Sequence, residues 1–407
     1  MIPTLKKPNT LLFILLLAPF VRPLGLDYFP LIGKILTLWK LLALVYLVPA
    51  LLPTLVQPHP KKSFFPFIGL AVFWAIYLIG CVRVGKDVVS IFTAGASSIL
   101  LLLLISYETR IGNGMLLLKA MAQLFTFYLL AHIATVFLAN AGLLWLGYVG
   151  ESLVYLFGMD NYSAFFLYPM LSIVLYYDCL RRGHLTLGSW LLTFAVVGVY
   201  LLTKSLTAAA AGVFMLPFLM IMGYWKTLPK IKGVRWIICG MAIFLILVCG
   251  FQAQNLLAPL LNKTSKGVTL NSRTYIWDYA LKLIGESPLF GHGTFTDKEL
   301  FTDYVLYGVD HAHNLLLELL LRAGIAGAAG FLVFLFGFAP IGKRRPVPKA
   351  HGILLIGLAG QLLLCFMDFY PTILPFYIFM GVLYCSHRFC PMPPESAEKP
   401  DTSEVPS

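Results

Sequence analysis

Acidic side chains are scarce in this 407-residue chain: 18 Asp and Glu stand against 30 Lys and Arg, and all charged residues together make up 12% of it. A soluble domain carries about a quarter charged residues, so a water-soluble globular fold is excluded. The seven cysteines are scattered, with no CxxC pair and none in the long polar segment between 252 and 311, which leaves no disulfide framework and no cysteine metal site. An Asp-x-Asp pair is missing too, so a metal-dependent sugar transfer has no obvious ligands. No internal repeat is strong enough to point to an inverted-repeat transporter.

What is present is hydrophobic: 59% of the residues, with a mean hydropathy of +0.84. A bilayer core about 30 Å thick needs roughly 20 apolar residues per helix, and about twelve segments qualify, at approximately 9–26, 31–56, 64–82, 88–106, 115–140, 163–179, 187–203, 206–224, 234–254, 313–338, 350–368 and 373–387. The expectation is an all-α integral membrane protein. Arg22 and Pro23 follow the first span with no small-residue cleavage site, so it reads as a retained helix rather than a signal peptide.

Basic residues fall in alternate loops: Lys6 and Lys7, Lys61 and Lys62, Arg110, Arg181 and Arg182, Lys226 to Arg235, Lys343 to Lys349, and Arg388. By the positive-inside rule those loops are cytoplasmic, both termini with them, and the long loop faces outward. The chain then divides into helices 1–9 (1–251), an extracytoplasmic loop (252–312), helices 10–12 (313–390) and a Pro-, Ser- and Glu-rich cytoplasmic tail (391–407) expected to be disordered. The net charge of +12 is mainly this topology signal; it suits anionic lipid headgroups and needs no nucleic acid partner.

The candidate chemistry sits in the long loop. Ser272 is placed to cap a helix whose apolar positions Tyr275, Ile276, Tyr279, Ala280, Leu283 and Ile284 recur at helical spacing, as in a helix lying on the membrane surface. Arg273 in its first turn has two open roles: anchoring that helix at headgroup level, or stacking on Trp277 and offering its fork to a phosphate. Pro288, Gly291 and Gly293 end the helix, and His292 reads as a turn residue. Asp310 is a plausible N-cap for the next helix, placing His313 in its first turn, where the helix dipole keeps the imidazole neutral and able to accept a proton. A capping histidine without chemistry is the other reading. His311 and His313, two apart, would splay on a helix, so no zinc site is expected. Glu318 and Arg322, four apart, read as an inward-facing ion pair.

The segment Ser272-Arg273-Thr-Tyr-Ile-Trp277, then Pro288-Leu-Phe-Gly291-His-Gly293, His311-Ala-His313-Asn314 and Gly324-Ile-Ala-Gly327 resembles, in order and interval, the O-antigen ligase and polymerase superfamily of bacterial envelope glycosyltransferases. The resemblance implies a GT-C-like bundle and metal-independent, inverting transfer of a glycan from undecaprenyl diphosphate to an acceptor hydroxyl, lipid-linked or glycan, with no cofactor. It makes His313 the base and Arg273 a diphosphate clamp. Members often carry a Ser-Arg pair where this chain has Lys204-Ser205, so Lys204 takes that place as a point charge or else snorkels at the interface. Asp310, His311 and Asn314 are supporting candidates, and Asp160 and Asn161 are acceptor-side candidates. A repeat-unit polymerase of the same superfamily fits the same residues; a polysaccharide flippase or transporter, and a membrane scaffold, are the readings from other classes.

Overall fold

A computed structural model describes residues 8–56, 61–144, 146–149, 152–222, 273–294, 311–338 and 347–389, together with Thr227–Leu228 and positions 240 and 243. The expected span at 234–254, Ser272, Asp310 and the 391–407 tail lie outside the described residues. Twelve α-helices are found among the described residues: α1 (Thr10–Leu17), α2 (Pro30–Val56), α3 (Lys61–Val84), α4 (Val88–Arg110), α5 (Gly114–Asn140), α6 (Asp160–Arg182), α7 (Leu187–Leu202), α8 (Leu206–Met222), α9 (Arg273–Glu286), α10 (Leu315–Phe338), α11 (Lys349–Leu364) and α12 (Leu374–Phe389). Strand pairing among them is limited to two-residue pairs, Tyr148–Val149 with Ser152–Leu153 and Thr227–Leu228 with Val347–Pro348. The protein is an all-α membrane protein, and six of these helices, α2 to α6 and α10, are long and apolar enough to cross a bilayer.

The first apolar segment is not one span. Asn9 caps α1 by accepting from the Leu12 amide at 2.8 Å, but α1 ends at Leu17, and two 3-10 turns, Ala18–Phe20 and Leu24–Tyr28, follow. Pro19 and Pro23 remove the amides a continuing helix would need. At the end of α6, Gly183 takes the left-handed conformation (φ 76°) and closes the helix with its amide on the Cys179 carbonyl at 2.8 Å.

Alternating helix direction sorts the loops onto two faces. One face gathers the 21–29 turn, the 147–158 hairpin region, the α7–α8 turn, residues 291–294, 311–314 and 365–373. The opposite face holds Arg110, Arg181, Arg182 and Arg388, where Tyr176 donates to the Ser386 carbonyl at 3.1 Å and a Cβ on Gly114 would meet the Phe389 ring. The α6 helix is the most enclosed candidate span, with 83% of its apolar window buried, and α2 the least, with 17%. Helices α3 and α10 approach backbone to backbone: a Cβ on Gly69 would strike the Gly330 carbonyl, and one on Gly330 the Gly69 carbonyl. Small residues at such a crossing are how membrane helices gain dispersion contacts when no hydrophobic drive separates them from lipid.

A candidate catalytic centre at a broken helix

Helix α10 is interrupted at Gly324, whose φ of 61° and ψ of −170° belong to a region that only glycine enters at low cost. The interruption leaves carbonyls and amides unpaired in the middle of an apolar helix, which hydrocarbon does not tolerate. The Pro288–Gly293 turn supplies the partners. The His292 and Gly293 amides donate to the Leu321 and Arg322 carbonyls at 2.8 and 3.0 Å, and the Ile325 and Ala326 amides donate to the Pro288 and Leu289 carbonyls at 2.8 and 3.2 Å. Pro288, Gly291 and Gly293 thus do more than end α9: they thread the loop into α10. A Cβ on Gly291 would overlap the Ala323 backbone, so the insertion requires glycine there. His292 is the expected turn residue, its ring Nε2 2.7 Å from the Leu283 carbonyl.

The half-helix 315–323 begins differently from expectation. Asn314 is its cap, with Oδ1 accepting from the Leu316 and Leu317 amides at 2.9 and 3.4 Å while its side-chain amide donates to the Phe366 carbonyl at 2.9 Å. The cap position expected for Asp310, which lies outside the described residues, is thus held by Asn314. His313 precedes the cap in the left-handed region (φ 49°) instead of occupying the first turn. Because His311 and His313 are not helical, they do not splay: their ring centroids lie 3.8 Å apart.

Both imidazoles converge on a residue that the sequence reading missed, Asp368, in the turn after α11. His311 Nε2 is 2.9 Å from Asp368 Oδ1, and His313 Nδ1 is 3.4 Å from the same oxygen, inside ion-pair reach but longer than a good hydrogen bond. The Phe369 amide and the Tyr370 hydroxyl donate to the carboxylate at 3.1 and 3.0 Å. Burial pushes the Asp368 pKa up, but the bonds from His311 and His313 outweigh it and hold the carboxyl well below the usual range. An ionised carboxylate only accepts, so His311 Nε2 donates to it, and a proton on the His313 Nδ1 that faces the same oxygen would leave His313 Nε2 as the basic lone pair. Burial lowers the His313 pKa; Asp368 opposes this, and the positive charges of His311 and Arg273 add to it. The ring stays neutral at neutral pH, for a reason other than the helix dipole.

Arg273 is buried, at 7% exposure, so it is not anchored among headgroups. Helix α9 docks on protein: Ile276, Trp277 and Ala280 pack with Ala312, Leu317 and Leu321, and the Trp277 indole donates to the Ala312 carbonyl at 3.0 Å. The guanidinium lies in the field of Asp368 and Tyr370 but has no hydrogen-bond or ion-pair partner among the described residues. A buried guanidinium with open donors is a ready anion clamp.

Glu318 and Arg322 form the expected buried ion pair at 2.8 Å, and both also reach outward. Glu318 accepts from the Ala312 amide at 2.7 Å, and Arg322 donates to the Gly293 carbonyl at 3.2 Å, so the pair ties the histidine turn and the inserted turn to one half-helix. Lys204 is exposed in the α7–α8 turn in the left-handed region (φ 57°). Its neighbour Ser205 bonds the Asn161 side chain, while Tyr162 on the same first turn of α6 meets Tyr370 edge-on at 4.4 Å. The link between Lys204 and the histidines therefore runs through α6, and Asn161 has a structural partner. Asp160 opens that helix.

His311, His313 and Asp368 together could hold a divalent cation, since their ligand atoms all lie within 4.8 Å of one another. The same three groups, without an ion, set a basic histidine 3.4 Å from a carboxylate that can orient it.

Residues 190–332, about a third of the chain, match the family model described as O-antigen ligase. No curated protein and no solved structure matches. The match covers Lys204, Arg273, His311, His313, Asn314 and the Gly324 break, while Asp368 lies beyond it. Over this segment the chain is similar to the O-antigen ligase family.

Proposed function

We propose that the protein transfers a glycan from undecaprenyl diphosphate to an acceptor hydroxyl at the outer face of the bacterial cytoplasmic membrane, in the manner of an O-antigen ligase. The observation that carries this reading is the pairing of a neutral, carboxylate-oriented His313 with a buried Arg273 in its field that has no partner among the described residues. His313 Nε2 takes the proton of the acceptor hydroxyl, and the imidazolium that forms is stabilised by Asp368. The hydroxyl oxygen attacks the anomeric carbon as the bond to the diphosphate oxygen breaks, inverting that centre. Arg273 meets the charge that develops on the departing diphosphate, and Lys204 adds a more distant positive charge. The acceptor is lipid A-core or another envelope glycan. Both termini and the face bearing Arg110, Arg181, Arg182 and Arg388 are cytoplasmic on this reading, which rests on the inside bias of basic residues.

Transfer from a purified undecaprenyl diphosphate-linked glycan in liposomes tests the assignment, with the product's acceptor read by mass. His313→Ala is expected to lose at least about 100-fold in kcat, the size of a lost general base. Arg273→Lys keeps the charge but not the fork and is expected to weaken donor use about tenfold, a single lost bidentate contact to a charged group. Wild-type transfer by His313→Ala would remove the base from the mechanism. Movement of lipid-linked glycan across the bilayer without transfer would make the protein a transporter.

A further inference from the structure

A second cluster of positive charge stands on α2, the candidate span that is least enclosed by protein. Helix α2 carries Lys34 and Lys40 and no acidic residue of its own; from Tyr28 to Lys86 the chain has none. Arg22, from the preceding turn, lies across the same helix face. Its Nε donates to Asp27 Oδ1 at 2.6 Å, and its Nη1 donates to Thr37 Oγ1 at 2.9 Å. Arg22, Asp27, Lys34, Thr37, Leu38 and Leu41 line a cavity of about 460 Å³ that opens outward. Lys34 is exposed there and has no partner among the described residues. Lys40 is half-buried a turn below Thr37, with Arg22 in its field, and no carboxylate pairs with it among the described residues. Arg22 and Lys34 thus line the cavity with Asp27 as its one carboxylate, and Lys40 stands a turn deeper on the same helix.

The wall below that cavity is bare: Leu31, Ile35, Leu38, Leu42 and Val45 are exposed at 72%, 55%, 59%, 60% and 71%. Charged groups inside the bilayer edge are retained where a counter-charge meets them. Water-borne anions do not lie along such a wall, whereas a phosphate with an acyl chain attached fits both halves of the site. The cavity also belongs to the face that holds the histidines. The Gly25 amide donates to the Leu156 carbonyl at 2.8 Å, and a Cβ on Gly158 would touch both Leu24 and Tyr162, the residue that meets Tyr370.

We propose that Arg22, Lys34 and Lys40 bind the phosphate of an anionic bilayer phospholipid, of the phosphatidylglycerol type, with an acyl chain lying along Leu38 and Leu41 of α2. Lys34 and Lys40 supply the unmatched charge; Arg22, fixed by Asp27 and Thr37, orients the site. This site is separate from glycan transfer and is read without turnover.

Native mass spectrometry of the purified full chain tests it, titrating phosphatidylglycerol against diacylglycerol with the same acyl chains, which lacks the phosphate. The wild type is expected to retain phosphatidylglycerol and not diacylglycerol. Lys34→Gln alone, on an exposed side chain with no partner among the described residues, is expected to weaken retention about fivefold, the worth of one basic residue near an anionic surface. Lys34→Gln with Lys40→Gln is expected to weaken it further. Equal retention of the two lipids, or of phosphatidylglycerol by the wild type and the double variant, overturns the proposal. Displacement by millimolar inorganic phosphate would make the site one for a soluble anion, and displacement by equimolar polyprenyl phosphate one for the glycan carrier; either result overturns the phospholipid assignment.

Discussion

Replacing Asp368 by Asn keeps the volume of the side chain and removes its charge, which isolates the role of the carboxylate at His313. In the reaction proposed above, His313 becomes an imidazolium while its Nδ1 stands 3.4 Å from Asp368 Oδ1. Two unit charges at that separation interact by about 5 kcal/mol at an effective dielectric of about 20. The neutral amide still offers an oxygen to His311 and His313 and recovers part of this, so a net loss of about 3–4 kcal/mol is expected. That corresponds to roughly a 100- to 1,000-fold fall in kcat, at 1.36 kcal/mol per factor of ten. KM for the donor should change little, because Arg273 and the rest of the site are untouched. The assay is single-substrate transfer in proteoliposomes, run for Asp368→Asn, His313→Ala and the double variant. Since the carboxylate acts only through the imidazole, the double variant should be no slower than His313→Ala alone. Asp368→Asn working within about threefold of wild type, or additive losses in the double variant, would falsify the orienting role.

Three further outcomes follow from the same geometry. Transfer requires neutral His313, and burial lowers its pKa, so kcat should be flat above about 6.5, the ordinary histidine value, and fall only as pH drops through a lower midpoint; a midpoint above 6.5 contradicts the buried neutral base. EDTA should leave transfer unchanged if His311, His313 and Asp368 work as a hydrogen-bonded set, and activity lost to EDTA and restored by a divalent cation would turn those three into a metal site. Gly324→Ala forces a side chain into a glycine-only backbone region and against the Leu289 backbone, so it should cost upward of about 1–3 kcal/mol and lower the thermal unfolding midpoint in detergent. Gly198→Ala in α7, where a Cβ meets nothing within 4 Å, is the matched control and should be neutral or mildly stabilising; the break at Gly324 is not needed if the two variants unfold alike.

The helices were readable from the sequence because each is a long apolar run, and most of their bounds fall within a few residues of expectation; the exception, α1, is cut by prolines at 19 and 23. His313, Arg273 and the Glu318–Arg322 pair were visible as polar residues at the rim of an apolar helix. Asp368 was not singled out, although a signal existed: between Glu318 and Glu395 it is the one acidic residue, at the mouth of an apolar span. Its partnership with two histidines more than fifty positions earlier depends on α11 returning to the same face, which no local pattern encodes. The cap was misassigned for a related reason. Asp310 and Asn314 are both good capping residues, and the choice falls to Asn314 because its side chain also bonds the Phe366 carbonyl, a tertiary contact. The Gly324 break was hidden as well, since a glycine in a membrane helix more often serves close packing, as Gly330 does against α3.

The break explains why the proposed base, His313, sits where it does. A continuous α10 would carry its chemistry only on one helix face, with every backbone group consumed internally. Splitting it at Gly324 frees the Leu321 and Arg322 carbonyls, and the turn that satisfies them is the direct continuation of α9, the helix that bears Arg273. The proposed anion clamp and the proposed base are thereby fixed to the same short half-helix from two directions: α9 by the inserted turn and the Trp277 bond to Ala312, and His313 by Asn314 and the Glu318 bond to the Ala312 amide. Ala312 is thus held through both its amide and its carbonyl, one residue before the base, so the left-handed turn at His313 is set by bonds on its N-terminal side and by the cap on the other. A rigid turn of this kind keeps the imidazole aimed at Asp368 before substrate arrives, and preorganisation of that sort is where electrostatic catalysis gains its rate.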